Sequence, residues 1–473
     1  MTLEFNIDAQ FYMILQVART LMVKVKRTSR HFGRSWLSPG PCGRYCVPGR
    51  RMQTRSQISS NTRDSTDNFF HRLPSELLDI ILGKLSVLEL SVFGMTSKDI
   101  TNYVVDYISS QKWTNKEIFQ NFHHPTYQEQ QATIGHYREL GLLFKRCTLL
   151  LPTEERLKFI FRRFSQIPCF MLEHCFVQGC LGFACLGSFL QTLIAGWDEL
   201  ECHRVFNFLC NLTDILSKTE VLINNKPGAH YFEEVEIRLF YRKVLLDPWS
   251  NRLEFHFWLI ELLKPWPMVS QAHLLLFLYG PLLPEGTIGW QELVERALPH
   301  GALWDLAQAL LLLFSKLEVK GWFADSILAI LEELTVIPQP WHVENVARLL
   351  VLCDSHLCYA FLASKALNGH LQEISRLIVY IILVCEKDGY HMNWAVKLVQ
   401  QVCKVFSSDP EKFLFLQNLE NMFAETTRDF FELSVGGNLV EDREIFQTLS
   451  ILLDSSARFH AKFLHMFLKR PEM

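Results

Sequence analysis

The side chains best suited to chemistry in this chain are its sulfur and imidazole groups. Cys169, His174, Cys175, Cys180 and Cys185 lie close together, and Cys202, His203 and Cys210 follow. Thiolate and imidazole are the usual ligands of a structural zinc ion. The spacing argues for a different role. No two of the thirteen cysteines stand as C-x-x-C, and the gaps inside the cluster are wider than those of a zinc knuckle. A RING, which fixes two zinc ions with eight Cys and His ligands mostly in C-x-x-C pairs, is therefore excluded. Cys353, His356 and Cys358 form a second, smaller group. Free cysteine behaves as a small hydrophobe, and Cys210 in FNFLCNL and Cys403 in LVQQVCKVF sit in apolar surroundings. The expectation is that these cysteines fill a core, with no metal and no cofactor.

Basic clusters offer a second chemistry. Arg162-Arg163, or Arg238 with Arg242 and Lys243, could form an arginine fork for a phosphorylated peptide. Exposed basic turns explain them as well. Trp197-Asp198-Glu199-Leu200-Glu201 holds three acids, which a solvated helix start accounts for. The chain contains no phosphate-cradling G-x-x-x-x-G-K-[ST], no nucleophile elbow, no H-E-x-x-H and no G-x-G-x-x-G. A protein with no catalytic residues of its own is expected.

The elements that must position these residues are helical. Of 473 residues, 49% are hydrophobic and 21% charged, enough for a large core. Gly and Pro number 22 and 18, below the usual ~12% of a chain, which argues against a fold of many short strands. From about residue 113 one helical pattern follows another. In HMNWAVKLVQQVCKVF, Ala395, Leu398, Val399, Val402, Cys403 and Phe406 form one stripe, opposite Lys397, Gln400, Gln401 and Lys404. ARLLVL at 347–352 and SRLIVY at 375–380 are weak echoes of one another. Paired helices stacked as an irregular α-solenoid of armadillo or HEAT type are predicted, with a compact helical domain as the competing arrangement. The longest apolar run, Leu377 to Cys385, is far short of the ~20 residues of a membrane span and reads as a buried helix. Residues 264–289, with four Pro and three Gly, are expected to separate two helical blocks.

The start of the chain is different. Residues 1–66 hold eleven Lys and Arg against three acids, net +8, and the remainder is net −11. Six Gly or Pro fall within residues 39–49, a density that no helix survives. Residues 1–68 are read as a basic, disordered tail and linker. A mitochondrial presequence or a nuclear-import patch at Lys24–Arg27 or Arg50-Arg51 are the other readings. The odd cysteine count and the lack of a clear secretory leader point to a reduced, intracellular protein of the nucleus or cytoplasm.

Between tail and solenoid stands LPSELLDIILGKLSVLELSVFGMTSK, residues 73–98. Apolar residues at 77, 78, 81, 82 and 85 fall on one helical side, and Pro74 stands where a helix tolerates proline. Ser86 with Glu89 has capping-box spacing, so a second helix starts at Val87. Ser97 opens a third, with Ile100, Val104 and Ile108 on one side. Three such short helices need a partner or a neighbouring domain to bury their apolar faces.

The segment resembles the F-box family. Its pattern matches without a gap at Leu73-Pro74, Glu76, Leu77-Leu78, Ile81-Leu82, Leu85-Ser86, Glu89-Leu90 and Ser97-Lys98. Val87 replaces the usual Pro, Thr96 the usual Val, and Ile100 the usual Trp. The resemblance implies a subunit that docks on a Skp-family adaptor, and through it on a cullin and a RING subunit, while the rest of the chain holds a protein substrate for ubiquitination. Adaptor contact is expected at Leu73, Pro74, Glu76, Leu77, Ile81, Leu82, Leu85, Leu90 and Ser97. Packing of the same residues on 100–160 is the alternative. The expected organisation is tail and linker at 1–68, F-box at 69–113, helical blocks at 114–270 and 271–460, and a C-terminal tail at 461–473. A structural scaffold without ligase activity is the second functional reading. Nucleic-acid binding is disfavoured by the acidic body.

Overall fold

The computed structural model describes residues 70 and 73–468, apart from 124, 174, 176–178, 250, 316–323 and 437–440. The tail assigned to 1–68 and the C-terminal residues 469–473 lie outside the described residues. Among the described residues the chain is all-helical, and its only β pairing is the isolated bridge between Leu282 and Ile288. It divides into two compact units. One comprises the chain up to Phe164 with Ser188–Ala195; the other comprises Ser165–Gly187 and the chain from Gly196 onward.

The first unit begins with α1 (Ser75–Gly83), α2 (Val87–Phe93), α3 (Lys98–Ile108) and the single turn α4 (Gln111–Trp113). The longer α5 (Tyr127–Cys147) and α6 (Thr153–Phe164) follow. Pro74 precedes α1, and its carbonyl accepts the amides of Leu77 and Leu78, both at 3.1 Å. The capping box at α2 is complete: the Glu89 amide donates to Ser86 Oγ at 3.2 Å, and the Ser86 amide to Glu89 Oε2 at 3.0 Å. Ser97 Oγ caps α3 by accepting the Ile100 amide at 3.2 Å. Ile100, Val104 and Ile108 are buried, as their spacing requires.

α2 finds its main packing partner in α5. Arg146 Nη1 on α5 donates to Ser91 Oγ on α2 at 2.7 Å. Below this contact the core is aromatic. Phe144 meets Trp113, Phe164 and Phe189 edge-on at centroid distances of 6.1, 6.1 and 6.0 Å. Such pairs add about 0.5–1.5 kcal/mol beyond the area they bury. After α4 the chain widens into a π turn, Thr114–Ile118, and Tyr137 Oη donates to the freed carbonyl of Ile118 at 2.5 Å.

The second unit takes the first half of α7 (Gly182–Ile194), then α8 (Glu199–Thr213), α9 (Ile215–Asn224) and α10 (Tyr231–Phe240). There follow α11 (Arg252–Leu263), α12 (Met268–Tyr279), α13 (Trp290–Glu295), α14 (Trp304–Ser315), α15 (Ala324–Leu334) and α16 (Val343–Leu352). The last are α17 (Asp354–Leu367), α18 (Leu371–Lys387), α19 (Met392–Cys403), α20 (Asp409–Gly436) and α21 (Glu441–Leu468). From α10 onward alternate helices pack on one another, while α12 packs chiefly on α15. α10, α12, α14, α16, α18 and α20 form one row, and α17, α19 and α21 a second. This alternation of two rows is the stacking of an irregular α-solenoid. α18 lies inside it, and Ile374 to Cys385 are buried save Arg376, as its unbroken apolar run requires. Each fully buried aliphatic side chain contributes about 1.5–3 kcal/mol relative to exposure.

Two stretches carry more helix than their composition suggests. Residues 264–289 contain α12, buried from Ala272 to Tyr279. Pro267 stands immediately before the helix, where its missing N–H costs nothing, and its carbonyl accepts the Gln271 amide at 2.9 Å. The C-terminal tail expected from 461 is helical as far as Leu468.

Candidate adaptor-docking surface

The apolar residues of α1 divide between two faces. Leu78, Leu82 and Leu85 are buried, as is Leu90 on α2. Leu77 is 38% exposed and Ile80 58%. Pro74 and Glu76 are exposed, and Leu73 and Ile81 are half-covered. Ser97 is exposed and is engaged as the cap of α3. The candidate contact residues therefore fall into an outward set (Leu73, Pro74, Glu76, Leu77, Ile81) and a set that holds the helices together (Leu82, Leu85, Leu90). The burial of the second set arises inside the unit, where α1 packs on α3 and α2 on α5. Sequence reasoning passed over Ile80, Leu88 and Met95, which are 58%, 41% and 45% exposed. It also passed over Leu149 and Leu150 in the α5–α6 loop. This loop leaves α5 at Cys147, whose Sγ lies 3.4 Å from the position a Cβ on Gly94 would take. A run of three leucines that continues no helical stripe was the available signal.

The basic clusters are committed elsewhere. Arg238 is buried and donates to the carbonyls of Phe277 and Gly280 at 3.0 and 2.9 Å. Burial lowers its pKa to about 10. Arg242 pairs with Asp247 at 3.1 Å and Asp305 at 2.8 Å, and Lys243 with Asp247 at 3.1 Å. Arg163 lies over the Phe159 ring at 4.3 Å. Arg238 and Arg242 thus tie helices together, while Arg163 packs on its own helix.

The cysteines behave in two ways. Cys353 and Cys358 are buried while His356 is exposed, so that group does not converge. Cys185 and Cys210 are buried, and burial pushes both thiols up to about 12. His203 turns to Glu261, its Nδ1 2.5 Å from the carboxylate. Cys169, Cys175 and Cys180 do come together, with every Sγ within 4.8 Å of the others. His174 lies outside the described residues.

The helical stack has one large cleft among its described cavities, with a volume of about 890 Å³. Leu282, Arg296, His342, Glu344, Lys387 and Phe430 contribute to its walls. Its floor is a buried ion network. Arg348 Nε meets Asp388 at 3.0 Å and its Nη2 meets Glu344 at 3.1 Å, while Lys387 reaches Glu344 at 2.9 Å. Asn345 clamps the rim: its side chain donates to the carbonyls of Leu293 and Arg296 and accepts the Leu298 amide at 2.8 Å. Burial lowers the pKa of His342. The wall is thus mixed in charge and partly apolar.

Comparison with known proteins agrees with this architecture. A family model described as "FBXO47, ARM repeats" matches residues 212–432. F-box only protein 47 of Mus musculus is 45% identical over 428 residues, covering 88% of this chain and 95% of the relative. F-box only protein 47 of Homo sapiens is 45% identical over 412 residues, 86% of this chain and 91% of the relative. No solved structure matches.

Proposed function

The chain belongs to the F-box only protein 47 family, and from that premise we propose that it is the substrate-recognition subunit of a Skp–cullin–F-box ubiquitin ligase. It docks a Skp-family adaptor through the outward face of α1 and holds a protein substrate on its helical repeats. It is not itself a catalyst. Its contribution to rate is positional: it raises the local concentration of a substrate lysine near the charged conjugating enzyme. Nucleus or cytoplasm is the proposed location, and no helix among the described residues is long and apolar enough to cross a membrane.

The observation that carries this reading is the apolar face of α1 that no described residue covers. Pro74, Leu77 and Ile80 are exposed beside half-covered Leu73 and Ile81, while the inward leucines are already satisfied. Exposed apolar residues clustered in this way mark a surface that a partner covers. The adaptor therefore contacts Leu73, Pro74, Leu77 and Ile81, with Glu76 at the rim. Leu82, Leu85 and Leu90 act by setting the angle of α1.

The test is co-purification of the full chain with a Skp-family adaptor. The double variant Leu73→Ala/Pro74→Ala is expected to weaken binding at least tenfold without loss of helicity. Undiminished binding overturns the F-box assignment. A complex that holds the adaptor and excludes a cullin favours a non-ligase scaffold.

A further inference from the structure

We propose that Cys169, Cys175 and Cys180 bind a structural zinc ion through their three thiolates. The three residues belong to the long connection 165–181 between α6 and α7, whose described residues carry one short 3-10 turn, Pro168–Phe170. Connections of this length in a helical stack ordinarily carry a function or need a staple. Here the three sulfurs meet. Cys169 Sγ lies 3.4 Å from Cys175 Sγ, and all three Sγ atoms are within 4.8 Å of one another. A tetrahedral zinc with Zn–S bonds of about 2.3 Å separates its sulfurs by about 3.8 Å, so a small contraction or expansion of each edge seats the ion.

The surroundings are shaped for the same purpose. The Gly182 amide points at Cys180 Sγ, with N and S 3.4 Å apart. Such an N–H orients a metal-bound thiolate and offsets its charge. Gly182 itself has no room for a side chain: a Cβ there would stand 2.7 Å from Cys169 Cβ. Its absence lets the start of α7 close on both cysteines. Gly179, at φ +79°, turns the chain into Cys180. Lys218 Nζ on α9 fixes the connection from outside by donating to the Leu172 carbonyl at 3.1 Å.

Convergence, not burial alone, sets these thiols apart, since Cys202 and Cys403 are also only partly covered. Cys147, Cys185, Cys210, Cys353, Cys358 and Cys385 are buried as core residues. Cys175 and Cys180 are only partly covered, so an ion can reach them, while Cys169 forms the closed side. On binding, each thiol releases its proton to solvent as its Zn–S bond forms. Three thiolates leave the site with one net negative charge, and a neutral nitrogen or oxygen ligand completes the tetrahedron. The ion staples the connection 165–181 to the start of α7 within the second unit.

The test begins with the unmodified full chain, purified without chelator and assayed for metal by mass spectrometry. About one zinc per chain is expected, and its replacement by cobalt is expected to give the intense visible bands of a tetrahedral thiolate site. Cys169→Ser and Cys180→Ser should each lower zinc affinity at least tenfold, and Cys202→Ser should leave it unchanged. The wild-type measurements stand even where a variant fails to fold. Wild-type chain that is folded, free of zinc and without cobalt–thiolate bands overturns the proposal. So does a Cys169–Cys175 disulfide as the resting state of protein kept under reducing conditions.

Discussion

At the scale of single residues, the inward and outward leucines of α1 give opposite predictions. Leu82 is 1% exposed, so Leu82→Ala removes buried methyl groups and leaves a cavity costing about 2–5 kcal/mol. Its thermal midpoint falls, and adaptor binding falls with it. Leu77→Asp changes an exposed position, where stability moves by about 0.5 kcal/mol or less. Its midpoint stays while adaptor affinity drops at least tenfold in a titration of purified components. One histidine gives a second prediction. His273 on α12 is buried, lies parallel to the Phe277 ring at 4.7 Å, and has its pKa lowered to about 4 by desolvation. Below its ordinary value near 6.5 the unfolded chain takes up the proton first, so stability is full above that value and declines as pH falls toward 4. At one pKa unit per 1.36 kcal/mol the loss is at most about 3 kcal/mol. His273→Phe should flatten that part of a denaturation-versus-pH series. Neighbouring Glu234, whose pKa burial raises, acts in the opposite sense at pH above the usual carboxylate range, and the variant leaves its contribution in place.

At the scale of elements, local sequence carried much of the first unit. Ser86 with Glu89 and the spacing of Ile100, Val104 and Ile108 placed α2 and α3, because caps and 3.6-residue periods are short-range signals. The division of α1 into two faces was not legible. Leu77, Leu78, Ile81 and Leu82 are adjacent pairs, and only the position of the packed neighbour α3 decides which of each pair turns inward. α12 was hidden for a different reason: it is apolar on every side because neighbours cover it all round, so it shows no stripe. The cysteine cluster was weighed on ligand spacing alone, which says nothing of how a long connection folds back. Two predictions belong here. Ser86→Ala removes the cap of α2 and should cost about 1 kcal/mol in a chemical denaturation curve. Gly187 on α7 faces a harder limit, since a Cβ there would stand 2.0 Å from the Lys243 carbonyl oxygen, a backbone atom that cannot step aside. Gly187→Ala should therefore shift helix packing across α7 and lower the yield of folded protein well beyond what helix propensity accounts for.

At the scale of the whole molecule, the solenoid class was legible from composition and helix succession, while the place where one unit yields to the other was not. The chain divides into two compact units, so thermal unfolding should not be a single two-state event. A calorimetric enthalpy larger than the van't Hoff enthalpy is expected, with Leu82→Ala moving only the transition of the first unit. The same organisation bears on the contact between α2 and α5. Val87, Leu90 and Phe93 are buried, and α5 is the main helix lying on α2. The F-box here is therefore no portable cassette. A bait or transgene cut at residue 113 keeps the whole family signature yet uncovers those side chains, and it would score as a non-binder through misfolding alone. Truncations upstream of α5 should accordingly behave as simple loss of function, too unstable to compete for the adaptor.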